Sequence, residues 1–329
     1  MSEIPDRNLG LELVRATEAA ALSAARWVGR GEKEAGDGAA VEAMRVLLRT
    51  VEMDGTVVIG EGEKDRAPML FTGERVGTGR GPSVDVAVDP VEGTNLLARG
   101  LPNAIAIVGL APRGAMRDLA RSYYMEKIVV GPEAAGHIDL EAPVPHNLAA
   151  IATARGVQVE ELLVVVLDRP RNRSVIAACR EAGARVRLIT DGDVAPSVMA
   201  ALPGTGVDVV MGIGGTPEGV VVACAMRGLG GEIQGRLAPQ SEAERRRIVE
   251  AGYAMDTTLY GTDLVAGDDL FFAATGITQG AFLRGVRYTP EGAVTHSLVT
   301  RSKSGTWRAI ESHHRWEKLS PLSAVPYRV

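Results

Sequence analysis

The sequence predicts a two-domain protein that joins an α+β half to an α/β half, and three observations predict it. A chain of 329 residues is long for one core and suits two, at roughly 100–200 residues each. Up to residue 130, helical periodicity comes first and short apolar strands separated by long polar turns follow, which is the order of an α+β unit. From Glu161 onwards strand and helix alternate three times, the order of a mostly parallel sheet with right-handed crossovers. The expected division is 1–158 for the α+β domain and 159–329 for the α/β domain, although no linker rich in Pro, Gly or Ser marks it.

Residues 8–28 repeat Leu9, Leu13, Ala16, Ala20, Ala24 and Trp27 at helical spacing and stop at Gly29, so a helix is predicted there. A second helix is predicted over 38–52, with Val41, Met44 and Leu48 on one side and Asp37 standing just before it. The period then changes, and 56–59, 84–88, 104–110 and 128–130 read as strands. In the second half, 162–167, 186–189 and 207–211 read as strands, and 172–182, 194–202 and 217–229 as helices. The remaining chain holds a charged helix over 241–251, strand-like pieces near Leu270 and His296, and a polar tail.

Charge and composition narrow the function. With a net charge of −5 and no block of Lys or Arg, nucleic acid is not an expected partner. With only 4% aromatic residues, stacking on bases or sugar faces is not expected to dominate binding. A small anionic ligand would need bound cations or a few placed arginines against that overall charge. Cys179 and Cys224 form no Cys-x-x-Cys and read as reduced core thiols. There is neither a basic-then-apolar leader nor a run of about 18 uncharged apolar residues, so no membrane partner is expected and the location is expected to be cytoplasmic.

The strongest local signal is Asp89-Pro90-Val91-Glu92-Gly93-Thr94, which follows a strand. It sets two carboxylates beside backbone N–H groups at a helix start, the donor set that a Mg²⁺-bridged phosphate requires. Read as a bare pattern, the same residues also make a solvated acidic turn capped by Thr94. Asp37 before a helix reads as an N-cap, Glu61 as a glutamate in a Gly-rich turn, and Glu218 as an acidic residue in a first helical turn. In the second half, three successive strands end in Arg169-Pro170-Arg171, Asp191-Gly192-Asp193 and Gly212 to Gly219. Ligands bind beyond the carboxyl ends of such strands, so the three loops are expected to line one crevice. Two arginines suit a phosphate, and paired aspartates suit sugar hydroxyls. The glycine run lacks a Gly-Lys-Ser/Thr ending, so it is not a P-loop and suits close backbone approach to a ligand.

Asp-Pro-apolar-acidic-Gly-Thr resembles the metal-binding signature of the lithium-sensitive sugar and inositol phosphatase superfamily. Gly60-Glu61-Gly62-Glu63-Lys64-Asp65-Arg66-Ala67-Pro68-Met69-Leu70, Tyr124-Met125-Glu126-Lys127, Asp191-Gly192-Asp193 and Gly212-Ile213-Gly214-Gly215-Thr216-Pro217-Glu218-Gly219 narrow it. Together they resemble class II fructose-1,6-bisphosphatase, the bacterial type, over residues 8–318. The resemblance implies a layered α/β/α/β/α sugar phosphatase fold, with a metal- and phosphate-binding first domain and a sugar-phosphate-binding second domain. It implies Mg²⁺ or Mn²⁺ as cofactor, with one metal on Asp37 and Glu61 and another on Asp89, Glu92 and Glu218. It also implies Thr94 and Glu61 as catalytic residues, and substrate contacts from Glu92, Gly93, Thr94, Tyr124, Arg169, Pro170, Arg171, Asp191, Gly192, Asp193 and Gly215.

The activity so implied is hydrolysis of the 1-phosphate of fructose 1,6-bisphosphate, a step of gluconeogenesis. A metal-activated water would attack directly, Thr94 would orient it, and Arg169 and Arg171 would clamp the 6-phosphate. Arg169 stands where the family pattern also admits lysine. Lithium is expected to inhibit by competing for a Mg²⁺ position. A homo-oligomer, dimer or tetramer, is the expected assembly. Sedoheptulose 1,7-bisphosphate, one carbon longer with the same two anionic ends, fits the same residues. An inositol or sugar monophosphate would leave the arginine pair idle, and a sugar-phosphate sensor would have no use for Thr94.

Overall fold

The structure is a computed structural model that describes residues 7–62, 69–323 and 327. The Glu63 to Pro68 part of the Gly-rich motif lies outside the described residues. In the first half the chain forms α1 (Gly10–Ala24), α2 (Lys33–Leu48), β1 (Asp54–Ile59), β2 (Arg75–Val76), β3 (Ser83–Glu92), α3 (Thr94–Arg99), β4 (Ile105–Pro112), β5 (Tyr124–Val130) and α4 (Val144–Arg155). It continues through β6 (Leu163–Leu167), α5 (Arg173–Glu181), β7 (Arg185–Ile189), α6 (Val194–Ala200), β8 (Val209–Gly215), α7 (Thr216–Leu229), β9 (Glu232–Leu237) and α8 (Glu242–Glu250). The last elements are β10 (Leu259–Tyr260), α9 (Gly261–Leu264), β11 (Phe271–Gly276), β12 (Arg287–Tyr288), β13 (Gly292–Arg301), β14 (Thr306–Arg315) and α10 (Trp316–Ser323).

Two sheets result. The first has the order β12-β13-β11-β4-β3-β1-β2, with β14 also paired to β13; the second is β10-β9-β5-β8-β6-β7. Val86, Val88, Val108, Phe271 and Val299 on one face of the first sheet pack against α1 and α2. Ala87, Ile105, Ile107, Phe272 and Leu298 on the other face pack against α6 and α7, which also cover Met125, Val129, Val165 and Val210 of the second sheet. The far face of the second sheet, with Ile128, Val130, Val164 and Val209, packs on α4 and α5. The layers are therefore α/β/α/β/α, as expected. α1 is buried almost all round and turns only Leu11, Glu12 and Arg15 outward, because α2 covers one side of it and the first sheet another.

Four local expectations are corrected. α2 begins at Lys33 with Glu32 at its N-cap, which makes no side-chain cap, so Asp37 is the fifth residue of the helix and not a cap. Gly36 does not break it: a Cβ there would lie 2.6 Å from Leu97 and 3.0 Å from Trp27, so the glycine serves packing. The second sheet is parallel only at β6/β7 and β6/β8. β5 inserts between β8 and β9, antiparallel to both, so the helical crossover from β8 to β9 spans a strand that arrives from the first half. The polar tail is an edge strand: β14 pairs along its whole length with β13. Sheet membership consequently crosses residue 158 in both directions, since β5 joins the second sheet and β11 to β14 return to the first. Cys179 and Cys224 are free and buried, and burial pushes their thiols up to about 11 and about 12. Among the described residues, no helix is long and apolar enough to cross a membrane.

Candidate active site

Two irregularities in the first sheet place its carboxylates. Along β3, Asp89 pairs with Ile107 and Glu92 with Ile105 of β4, so three steps on one strand match two on the other. Residues three apart on a regular strand face opposite ways. The extra residue of the bulge returns Glu92 to the face of Asp89, the face on which Ile105 and Ile107 look toward the second sheet. The acidic motif is thus a bulged strand end and not a separate turn. β1 carries a matching extra residue between Val57 and Ile59, just before Glu61. Gly93 then caps α3 in the left-handed region (φ 87°), and Thr94 is its first residue.

These carboxylates converge with Asp37 of α2 and Glu218 of the first turn of α7 on one cleft of about 670 Å³, a size that suits a small metabolite. The Asp37 and Glu61 carboxyls are near enough to act on each other's acidity. Burial, and then the charge of Asp37, pushes Glu61 up to about 7. Asp89 is held well above the usual carboxylate range by burial and by Glu61, Glu218 and Asp37. Glu92 is raised by burial and then by Asp89, Asp193 and Glu218. Asp37 and Glu218 are raised as well, burial being the first cause in each. Glu92 Oε1 accepts from Val194 N at 3.3 Å, and Asp89 Oδ1 from Val91 N at 3.0 Å. Glu92 Oε2 and Glu218 Oε2 are buried with no hydrogen-bond partner.

That donor set fits a divalent cation. Every ligand would be a hard oxygen, the preference of Mg²⁺ and Mn²⁺, and buried carboxylate oxygens without donors are costly unless a cation faces them. Among the described residues, no three His, Cys, Asp or Glu donors close into a ready-made cage.

The second sheet supplies the opposite wall at the carboxyl ends of β6, β7 and β8 and the start of β5. Arg169 donates to Thr190 O at 2.6 Å. Arg171 donates to Ile213 O at 3.0 Å and lies 4.5 Å from the ring centroid of Tyr124. Asp191 Oδ2 accepts from the Asn95 side chain at 2.9 Å and its backbone N at 3.3 Å. Asp193 Oδ2 lies 2.9 Å from Lys127 Nζ. Of the sequence candidates, Pro170 alone does not line the cleft; it is exposed and begins the short helical turn that carries Arg171.

The glycine run makes close approaches to the protein's own side chains. A Cβ on Gly212 would meet Asn172, one on Gly214 would meet Asp193 and Lys127, and one on Gly215 would meet the Glu218 carboxylate.

Several residues at the cleft escaped the sequence reading. Lys33 and Tyr123 line it, and Asn95 and Lys127 hold the two aspartates. Buried Glu244 accepts from Tyr123 N at 2.7 Å and Tyr124 N at 3.1 Å, tying α8 to the tyrosines. Strand periodicity carries the signal for Lys127, because Met125, Lys127 and Val129 share the inward face of β5.

A family model described as bacterial fructose-1,6-bisphosphatase, glpX-encoded, matches residues 7–314. The chain is 45% identical to fructose-1,6-bisphosphatase 1 class 2 of Escherichia coli (strain K12), over 97% of this chain and 98% of the relative. The same identity and coverage hold for the fructose-1,6-bisphosphatase class 2 of Escherichia coli O6:H1 and of Shigella flexneri.

Proposed function

We infer, from the premise that this chain belongs to the bacterial fructose-1,6-bisphosphatase family, how its cleft performs the family's reaction. The protein hydrolyses fructose 1,6-bisphosphate to fructose 6-phosphate and phosphate. The observation that carries the mechanistic reading is the meeting, in one cleft, of five acid-raised carboxylates on one side and a paired arginine site on the other.

Asp37 and Glu61 would hold one divalent cation, and Asp89, Glu92 and Glu218 another, with Mg²⁺ or Mn²⁺ as the ions. A bound cation would supply positive charge against the phosphate oxygens and make a nearby water more acidic. The first amides of α3, at Gly93 and Thr94, have no intrahelical acceptor by their position and would donate to the phosphoryl oxygens. Thr94 Oγ1 would orient the attacking water in line with the bond to C1. Thr94, with Glu61 beside it in the cleft, would help take the proton. The oxygen of water joins phosphorus, the bond from phosphorus to the C1 oxygen breaks, and a proton returns to that oxygen.

At the other end, Arg169 and Arg171 would grip the 6-phosphate, the Tyr124 ring backing the second guanidinium. Asp191 and Asp193 would accept hydrogen bonds from the sugar hydroxyls. Gripping the remote phosphate converts its binding energy into position at C1. A cytoplasmic homo-oligomer belongs to the same reading. The test is release of phosphate from fructose 1,6-bisphosphate, sedoheptulose 1,7-bisphosphate and monophosphates, with Mn²⁺ and with chelator. Turnover of the bisphosphates only, and only with cation, is expected. Equal turnover of inositol monophosphate would remove the distal phosphate from the mechanism.

A further inference from the structure

We propose that Lys127 is a positioning residue of this reaction, a buried cation that aims Asp193 at the sugar. The proposal rests on the reading above, in which Asp193 accepts hydrogen bonds from sugar hydroxyls.

Lys127 sits in the middle of β5 and is 2% exposed, which a lysine tolerates only when its charge is paired. Its Nζ lies 2.9 Å from Asp193 Oδ2, on a side chain 5% exposed. The same Nζ donates to Gly215 O at 3.2 Å. One ammonium therefore ties together the loop after β7 and the end of β8, two of the three loops that bring ligand-facing groups to the cleft. Gly214 makes room for it: a Cβ there would stand 2.9 Å from Lys127 Cε and 3.0 Å from Nζ, and would also meet Asp193 Oδ2.

The chemistry favours a role beyond holding the loops. Fixing Oδ2 fixes the plane of the Asp193 carboxylate, and Oδ1 has no partner among the described residues although Asp193 lines the cleft. A carboxylate so held is an oriented acceptor for a hydroxyl. Asp193 also stands among acids, since its charge acts on both Glu92 and Glu218, whereas Lys127 acts on Glu218 in the opposite sense. The pair thus gives the site an acceptor for the substrate without adding net negative charge where the phosphate must enter.

The experiment is a double-mutant cycle of Lys127→Met, Asp193→Asn and both together, read as kcat and KM on fructose 1,6-bisphosphate. Calorimetric binding of inorganic phosphate, a probe without hydroxylated carbons, runs alongside. Each single substitution is expected to lower kcat/KM by ~10²-fold, the scale of a misplaced substrate. The double is expected to fall no more than about threefold below the worse single, because the two residues act as one unit. Phosphate affinity should fall far less than kcat/KM. The double variant leaves no unpaired buried charge, so if Lys127→Met alone does not fold, Asp193→Asn against the double carries the test. A further tenfold loss in the double would show that the two residues act independently, and a phosphate affinity that falls as far as kcat/KM would leave only a structural ion pair; either result would overturn the proposal. A wild-type chain inactive on fructose 1,6-bisphosphate would sink the functional reading instead.

Discussion

On the wall built from the first sheet and α7, Glu92 Oε2 and Glu218 Oε2 are buried without a donor, and every carboxylate is raised by burial and by its neighbours. On the wall built from the second sheet, Asp191 is held by Asn95, Asp193 by Lys127, and both arginines by backbone carbonyls. In the proposed mechanism the first wall is complete only when cations are bound. The second is already hydrogen-bonded within the protein, and the proposed mechanism seats the sugar phosphate on it. The same residue type, aspartate or glutamate, serves both, and its partners decide which chemistry it does.

That contrast can be broken most directly at Thr94, to which the proposed mechanism gives the chemistry on the first wall. Thr94→Ala is expected to lower kcat by ~10²-fold or more with little change in KM, on the scale of a general-base contact; steady-state kinetics with an unchanged kcat would remove it from the mechanism. On the second wall the effect should be one of binding. Arg171→Ala removes a charge-assisted grip worth ~1.5–3 kcal/mol, so KM for the bisphosphate should rise ~10–100-fold while inorganic phosphate binds nearly as before. Equal weakening of both ligands would contradict a distal role.

The first wall should also couple folding to protons and cations. The folded pKa of Glu61 is raised from 4.5 to about 7, so between those values the cation-free folded protein binds more protons than the unfolded chain. Stability is then greatest below the unfolded value and is lost as pH climbs through about 7. Thermal melts in chelator should fall between about pH 5 and pH 8. Saturating Mn²⁺ should raise the melt more at the higher pH, by ~2.7 kcal/mol at a hundredfold excess over Kd. An equal cation shift at both pH values would show that these carboxylates are not its ligands. The smallest effect lies outside both walls. Ser241 caps α8 by accepting from Glu244 N at 3.2 Å, so Ser241→Ala should cost about 1 kcal/mol of stability. A denaturant titration checks this, and kcat should move little.

Much of the first wall was legible from residues. Asp89 to Thr94 announces itself because the strand, the proline and the helix start are contiguous. The bulge that makes Asp89 and Glu92 neighbours was not legible, since register belongs to the pairing with β4 and not to β3 alone. Asp37 looked like a cap because glycines flank it, and only the packing of Leu97 and Trp27 over Gly36 shows that the helix runs through. The second wall was legible as loops at strand ends, but Asn95 and Lys127 were not. Their partners lie 96 and 66 residues away, so strand periodicity could mark Lys127 as inward-facing but could not name Asp193 as its partner. β14 read as tail because it pairs on one side only and presents no apolar alternation.

The supernumerary residue in β3 also predicts how the protein would respond to a shortened chain. Removing Val91 would restore an unbroken ladder with β4, and the hydrogen-bonded framework of the sheet could survive it. Glu92 would then stand two steps from Asp89 on a regular strand and keep its face, and the loss would fall on the Val91 side chain, which packs in the core under α1 and α2. The deletion of a single codon here would therefore spare the pairing of Asp89 with Glu92 on one face and remove one apolar side chain from the first core.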